Sequence, residues 1–283
     1  MLNPPLSLLS DDLLVSIVEQ LKRLAGPDSN KYLNNLSLAD RAFTESCQKY
    51  IFRELIIGEW RGIFKDLTKV KKFLEDKPLL AKRVRVVQLG FSLSEESASI
   101  FKDPNFTSIL QLLAKSLTPP HELNFSGLLP LFIEDPIFVT RQLAESFFSQ
   151  TLTILRLSKI SNVPLPLFLI CPKLKEVFLD QVGASTDKSY DNYSDDQCSG
   201  RGPPLLEVLE FCNSHTLVEQ MIVPPPRFIA PVILLSNLRV LTIAPHDREG
   251  MVYLQPVLDA ACNSLEELHL SRMNEGKCEC GSL

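Results

Sequence analysis

The chain has 283 residues, more than one small core requires, and its 45% hydrophobic and 22% charged content is that of an ordinary globular fold. A net charge of −5 argues against nucleic acid as the main partner, because phosphate binding needs a basic face. Leucine occurs 49 times, about a sixth of the chain where roughly a tenth is usual, and 20 prolines against 11 glycines weigh against a β-sandwich built on tight hairpins.

Ser10-Asp11-Asp12 opens an apolar run through Leu21, with a serine suited to cap a helix and acids near its positive end. On a helical wheel Leu9, Leu13 and Ile17 form one stripe, and Leu14, Val18 and Leu21 form the adjacent one. Together they cover about half the circumference, wider than a helix needs against its own core. The helix is therefore expected to serve two surfaces, its own core and a partner. Residues 25–30 are a break rich in glycine, proline and small polar residues. Tyr32–Leu38 and Asp40–Leu55 read as further helices, with Ala42, Phe43, Cys47, Tyr50 and Ile51 on one face of the second. A fourth, from about Glu59 to Asp76, ends before Pro78.

From residue 84 a repeat begins: an apolar residue, two variable ones, an apolar one, one variable, and another apolar. It recurs at Val84-Val87-Leu89, Leu152-Leu155-Leu157, Leu174-Val177-Leu179, Leu206-Leu209-Phe211, Leu238-Leu241-Ile243 and Leu265-Leu268-Leu270, with a weaker copy at Leu123-Phe125. The last two apolar positions alternate with variable ones, so each unit predicts a short strand with one buried face. The spacing between units leaves room for a helix and two turns, and stacked units make a parallel sheet with helices outside. Phe106–Leu117, Pro136–Ser149, Thr216–Val223 and Pro256–Cys262 supply candidate helices. Residues 181–204 are polar and aperiodic and read as a flexible insertion.

Three blocks near the N-terminus resemble an F-box: Leu9-Ser10-Asp11-Asp12-Leu13-Leu14-Val15-Ser16-Ile17, then Leu33-x-x-Leu36-Ser37-Leu38-Ala39-Asp40-Arg41-Ala42-Phe43, then Cys47 through Ile51-Phe52-Arg53. Ser10 stands where the family has proline, and Asp12 where it has glutamate. The stretch from Phe73-Leu74 through Pro78-Leu79 to Leu89 is similar to the junction between F-box and repeats in fungal leucine-rich F-box proteins. The resemblance implies an α/β chain: an F-box over residues 1–55, a linker helix over 56–83, a leucine-rich-repeat-like array over 84–270, and a tail over 271–283. It implies a non-enzymatic substrate-recognition subunit that docks on the Skp-type adaptor of a cullin–RING ubiquitin ligase and holds a protein substrate, of unknown identity, on its repeats. Leu9, Ser10, Leu13, Leu14, Ile17, Leu36, Leu38 and Arg41 would form the adaptor surface. On the repeats, the residues between the paired apolar positions are expected on the open face of the sheet. These are Gln88, Asn124, Arg156, Phe178, Glu210, Thr242 and His269, with Glu176 and Asp180 beside Phe178. The competing expectation is a repeat scaffold with no ubiquitin role.

Other chemistry finds little footing. There is no phosphate-binding glycine loop, no His-Glu-x-x-His and no Gly-x-Ser-x-Gly, and the four histidines are scattered. Cys278-x-Cys280 is too tight for zinc spacing, so neither cofactor nor metal is expected. No uncharged apolar run reaches the roughly 18 residues of a bilayer span, and no positive stretch precedes the first apolar residues. Seven scattered cysteines fit free thiols in a reducing compartment, cytoplasm or nucleus. Thirteen residues follow Leu270 without a polar capping repeat, so a longer natural chain or a frayed end is expected.

Overall fold

The computed structural model describes residues 10–26, 29–58, 66–91, 102–133, 140–142, 146, 148–185, 202–223, 230–244 and 254–270. It opens with helices α1 (Asp11–Ala25) and α2 (Ser29–Ala39), a 3-10 turn at Arg41–Phe43, and α3 (Thr44–Ile51). Their apolar positions converge on a core of their own: Leu14, Val18, Leu33, Phe43 and Cys47, with Leu21, Leu36, Ala42, Tyr50 and Ile51 packed around it. Asp40 shapes the corner after α2, its carboxylate accepting from Ala42 N at 2.8 Å. Tyr50 donates to Glu19 Oε1 at 2.6 Å and ties α3 to α1. Burial, then this bond to a carboxylate, pushes the Tyr50 pKa up to about 12.

The helix expected over residues 40–55 stops early. Glu54–Gly58 is a strand, β1, in which Leu55 and Ile57 alternate into the core. The overlooked signal is Phe52-x-x-Leu55-x-Ile57, another copy of the repeating unit absorbed into an apolar run that also suits a helix. Of the helix expected from residue 59, α4 (Leu67–Asp76) is the described part; residues 59–65 lie outside the described residues. Asp66 caps it, accepting from Thr68 N and Lys69 N at 3.0 and 3.2 Å.

Every expected copy of the unit is a strand: β2 (Val86–Phe91), β3 (Glu122–Phe132), β4 (Ile154–Val163), β5 (Glu176–Ala184), β6 (Val208–Cys212), β7 (Val240–Ala244) and β8 (Glu267–Leu270). With β1 they form one eight-stranded, all-parallel sheet whose spatial order is the chain order. The molecule is a mixed α/β fold. Helices α5 (Pro104–Ala114), α6 (His215–Ile222) and α7 (Leu254–Ala261) fall close to the expected ranges. Of the helix expected over 136–149, residues 140–142 are helical, Ser146 is a bend and Phe148–Thr151 is a separate single turn; the rest lies outside the described residues. The polar insertion begins later than expected, because residues through Ala184 belong to β5; residues 186–201 and the tail 271–283 lie outside the described residues.

The repeated apolar positions of β1–β7 and the inward faces of α4–α7 share one core, which includes Leu152, Leu155 and Leu157 beside Val70, Phe106, Leu217 and Val257. The last copy departs from the expected buried face: on the edge strand β8, Leu268 and Leu270 are 43% and 55% exposed, because no further layer among the described residues covers them. Each core side chain removed from water contributes roughly 1.5–3 kcal/mol, so the leucine excess is mostly this core and that of the three-helix head. Arg83 Nη1 joins the two parts by donating to Gln48 Oε1 at 3.0 Å. At the starts of the strands, Lys175 pairs with Glu207 at 2.6 Å and Arg239 with Glu266 at 2.8 Å. Exposed pairs of this kind add little stability, but they mark the register.

Candidate protein-binding surfaces

Helix α1 divides its two stripes between two environments. Leu14 and Val18 are buried in the head, whereas Leu13 is 53% exposed and Ile17 42%. Leu14 was expected on the outer surface with Leu13; at 5% exposure it instead packs against the head's own core, because its wheel position aligns with Val18. Leu36 is half-buried against the same core. Leu38, at the end of α2, is 85% exposed, and Arg41 is exposed in the turn that follows. Leu9 lies outside the described residues. Ser10 is exposed at the start of α1, where its carbonyl accepts from Leu13 N and Leu14 N at 3.0 and 3.1 Å; its hydroxyl makes no capping bond. Leu24, 81% exposed, extends the Leu13–Ile17 stripe by two further turns. Leu24 falls on the same side of the helical wheel as Leu13 and Ile17, one turn past Leu21.

The second surface is the sheet face turned away from the helices. Register places Gln88, Asn124, Arg156, Phe178, Glu210, Thr242 and His269 in one unbroken row across seven strands. Ile56 of β1 begins that row, and it went unseen because its strand did. Glu176 and Asp180 lie in the rows on either side of Phe178. From this row Arg156 reaches Glu122 in the adjoining one, Nε lying 3.0 Å from its Oε1, and its guanidinium rests 3.6 Å from the centroid of the Phe178 ring. Ser158 Oγ donates to Asp180 Oδ2 at 3.0 Å. On the edge strand, the exposed His269 Nε2 is 3.1 Å from Glu267 Oε2.

Among the described residues no three of His, Cys, Asp and Glu are placed to hold a metal ion. No described helix is long and apolar enough to cross a membrane. Cys47, Cys171 and Cys212 are buried, and burial raises the Cys47 pKa, which favours the protonated thiol. What the two surfaces offer is contact area: an apolar helix stripe on the head, and a polar and aromatic sheet face on the array. Comparison of the chain with protein-family models and with curated proteins finds no match.

Proposed function

We propose that the chain is a non-enzymatic substrate-recognition subunit of an SCF-type cullin–RING ubiquitin ligase. The three-helix head is an F-box that docks on a Skp-type adaptor, and the strands form a leucine-rich-repeat solenoid whose open face holds a protein substrate. One observation carries the reading: α1 buries Leu14 and Val18 in a head with its own core and leaves Leu13, Ile17 and Leu24 on the outside. A helix that keeps a second apolar stripe in water has surface that association covers. The three blocks of F-box-like residues and the chain-order parallel sheet support the same assignment.

Co-purification with a Skp-type adaptor tests it. The wild-type chain captures the adaptor, and Leu13→Asp with Ile17→Asp abolishes capture while the far-ultraviolet circular dichroism stays unchanged, because both side chains already face water. Capture undiminished in the folded double variant sinks the docking assignment. A chain that binds a protein on its sheet face without any adaptor, with that protein's abundance indifferent to proteasome inhibition, is instead a scaffold.

A further inference from the structure

We infer that the open sheet face takes a basic polypeptide segment, one carrying lysine or arginine. This rests on the receptor reading above and names the class of its substrate. Three register rows make up the face, and their carboxylates are Glu54, Glu122, Glu176, Asp180, Glu210 and Glu267, against one guanidinium, Arg156. That guanidinium is already engaged by Glu122 and by the Phe178 ring. At the strand starts Lys175 and Arg239 are paired with Glu207 and Glu266, and Arg85 donates to the Lys82, Val84 and Thr118 carbonyls; Arg53 before β1 and Lys159 on β4 are the further cations bordering these rows. Glu176 and Glu210 have no ion-pair partner among the described residues.

These two carboxylates flank Phe178. Glu210 is its register partner on β6, and Glu176 lies two residues earlier on β5. Side chains one strand over and one pleat along are roughly 7–8 Å apart, a gap that a single ammonium or guanidinium bridges. Its alkyl stem can then lie on the aromatic ring. The stack of Arg156 on Phe178 is the same contact made within the chain. Ile154, Val208 and Val240 lie among the carboxylates of the first row and suit the stems of further basic side chains. An acidic segment or a phosphate backbone meets like charge here, so the sign of the face selects its partner.

Fluorescence anisotropy of the full chain tests this. The probe is a labelled peptide in which lysine and arginine alternate with serine and glycine, compared with the same peptide carrying glutamate at every basic position. The basic peptide binds, the glutamate peptide does not, and the affinity falls as salt rises. The isosteric pair Glu176→Gln and Glu210→Gln weakens binding roughly tenfold. Glu45→Gln with Glu75→Gln removes the same charge from exposed helix positions and leaves binding unchanged. No binding of the basic peptide, preference for the glutamate peptide, or equal losses in the two double variants overturns the inference. Adaptor co-purification on the same protein separates the two readings. Adaptor captured with the basic peptide unbound sinks the inference alone. Adaptor lost with the peptide bound through Glu176 and Glu210 sinks the receptor reading alone.

Discussion

Ser214 sits at the start of α6, where a serine usually caps a helix, yet its hydroxyl is used elsewhere. Oγ accepts from Val182 N at 2.9 Å and donates to the Cys212 carbonyl at 2.8 Å, joining β5 to β6 beyond their last paired residues. The need arises because Gln181 and Asn213, one step past the paired Asp180 and Cys212, take left-handed backbone, with φ of 56° and 49°. There the regular ladder is broken and buried main-chain groups need another partner. Asn162 does a related job between β3 and β4, its buried amide donating to the Ile133 carbonyl at 2.6 Å. Removing one partner of such a bond leaves a buried group unsatisfied, at about 1–3 kcal/mol. Ser214→Ala is therefore expected to lower the unfolding free energy by that amount in urea titration. A change below the error of the titration would mean that water replaces the hydroxyl. None of this is legible in the sequence, since a serine two residues after a strand looks the same whether it caps, bridges or faces solvent.

Helix α1 shows what element-scale reading does deliver. Its double stripe was readable from spacing, and the structure assigns the stripes opposite environments by a margin that mutation can measure. Leu14→Ala is expected to cost about 2–5 kcal/mol as a core truncation. Leu13→Ala, one residue away and half in water, is expected to stay within about 0.5 kcal/mol. Equal costs would show that the outer stripe is covered within the chain itself. The clasp between α3 and α1 adds a pH dependence. The Tyr50 hydroxyl, ordinarily near 10.0, is raised to about 12 in the folded head by burial and by its bond to Glu19. A raised folded-state pKa gives stabilisation that is fully present below pH 10 and is lost as the pH climbs through about 12. Wild type and Tyr50→Phe should thus differ by about 1 kcal/mol at neutral pH. Their unfolding midpoints are expected to converge as the pH approaches 12, whereas a constant gap would assign the difference to packing.

Across the whole molecule, the part of the fold visible in the sequence is the part that repeats. The alternation within each unit is a local property, so β2 to β8 could be read without knowing what lies beside them. Strand β1 could not, because Leu55 and Ile57 continue an apolar pattern that also fits the end of α3. The row from Gln88 to His269 followed from counting within the unit. The Glu122–Arg156–Phe178 cluster did not, since it depends on which strands are neighbours and in what register. That register has an energetic consequence. Each strand is hydrogen-bonded only to its chain neighbours, and the head's core is separate from the array's. In a stack of this kind stability is close to a sum of nearest-neighbour terms, and damage stays local. Leu155 is fully buried and faces Leu123 and Val177 on either side. Leu155→Ala is expected to cost about 2–5 kcal/mol, and hydrogen–deuterium exchange should place the loss of protection in β3, β4 and β5. Amides of α1, α2 and α3 are expected to keep their protection, because among the described residues no core side chain connects them to the damaged layer. A uniform rise in exchange that includes the head would show that the two cores unfold as one unit.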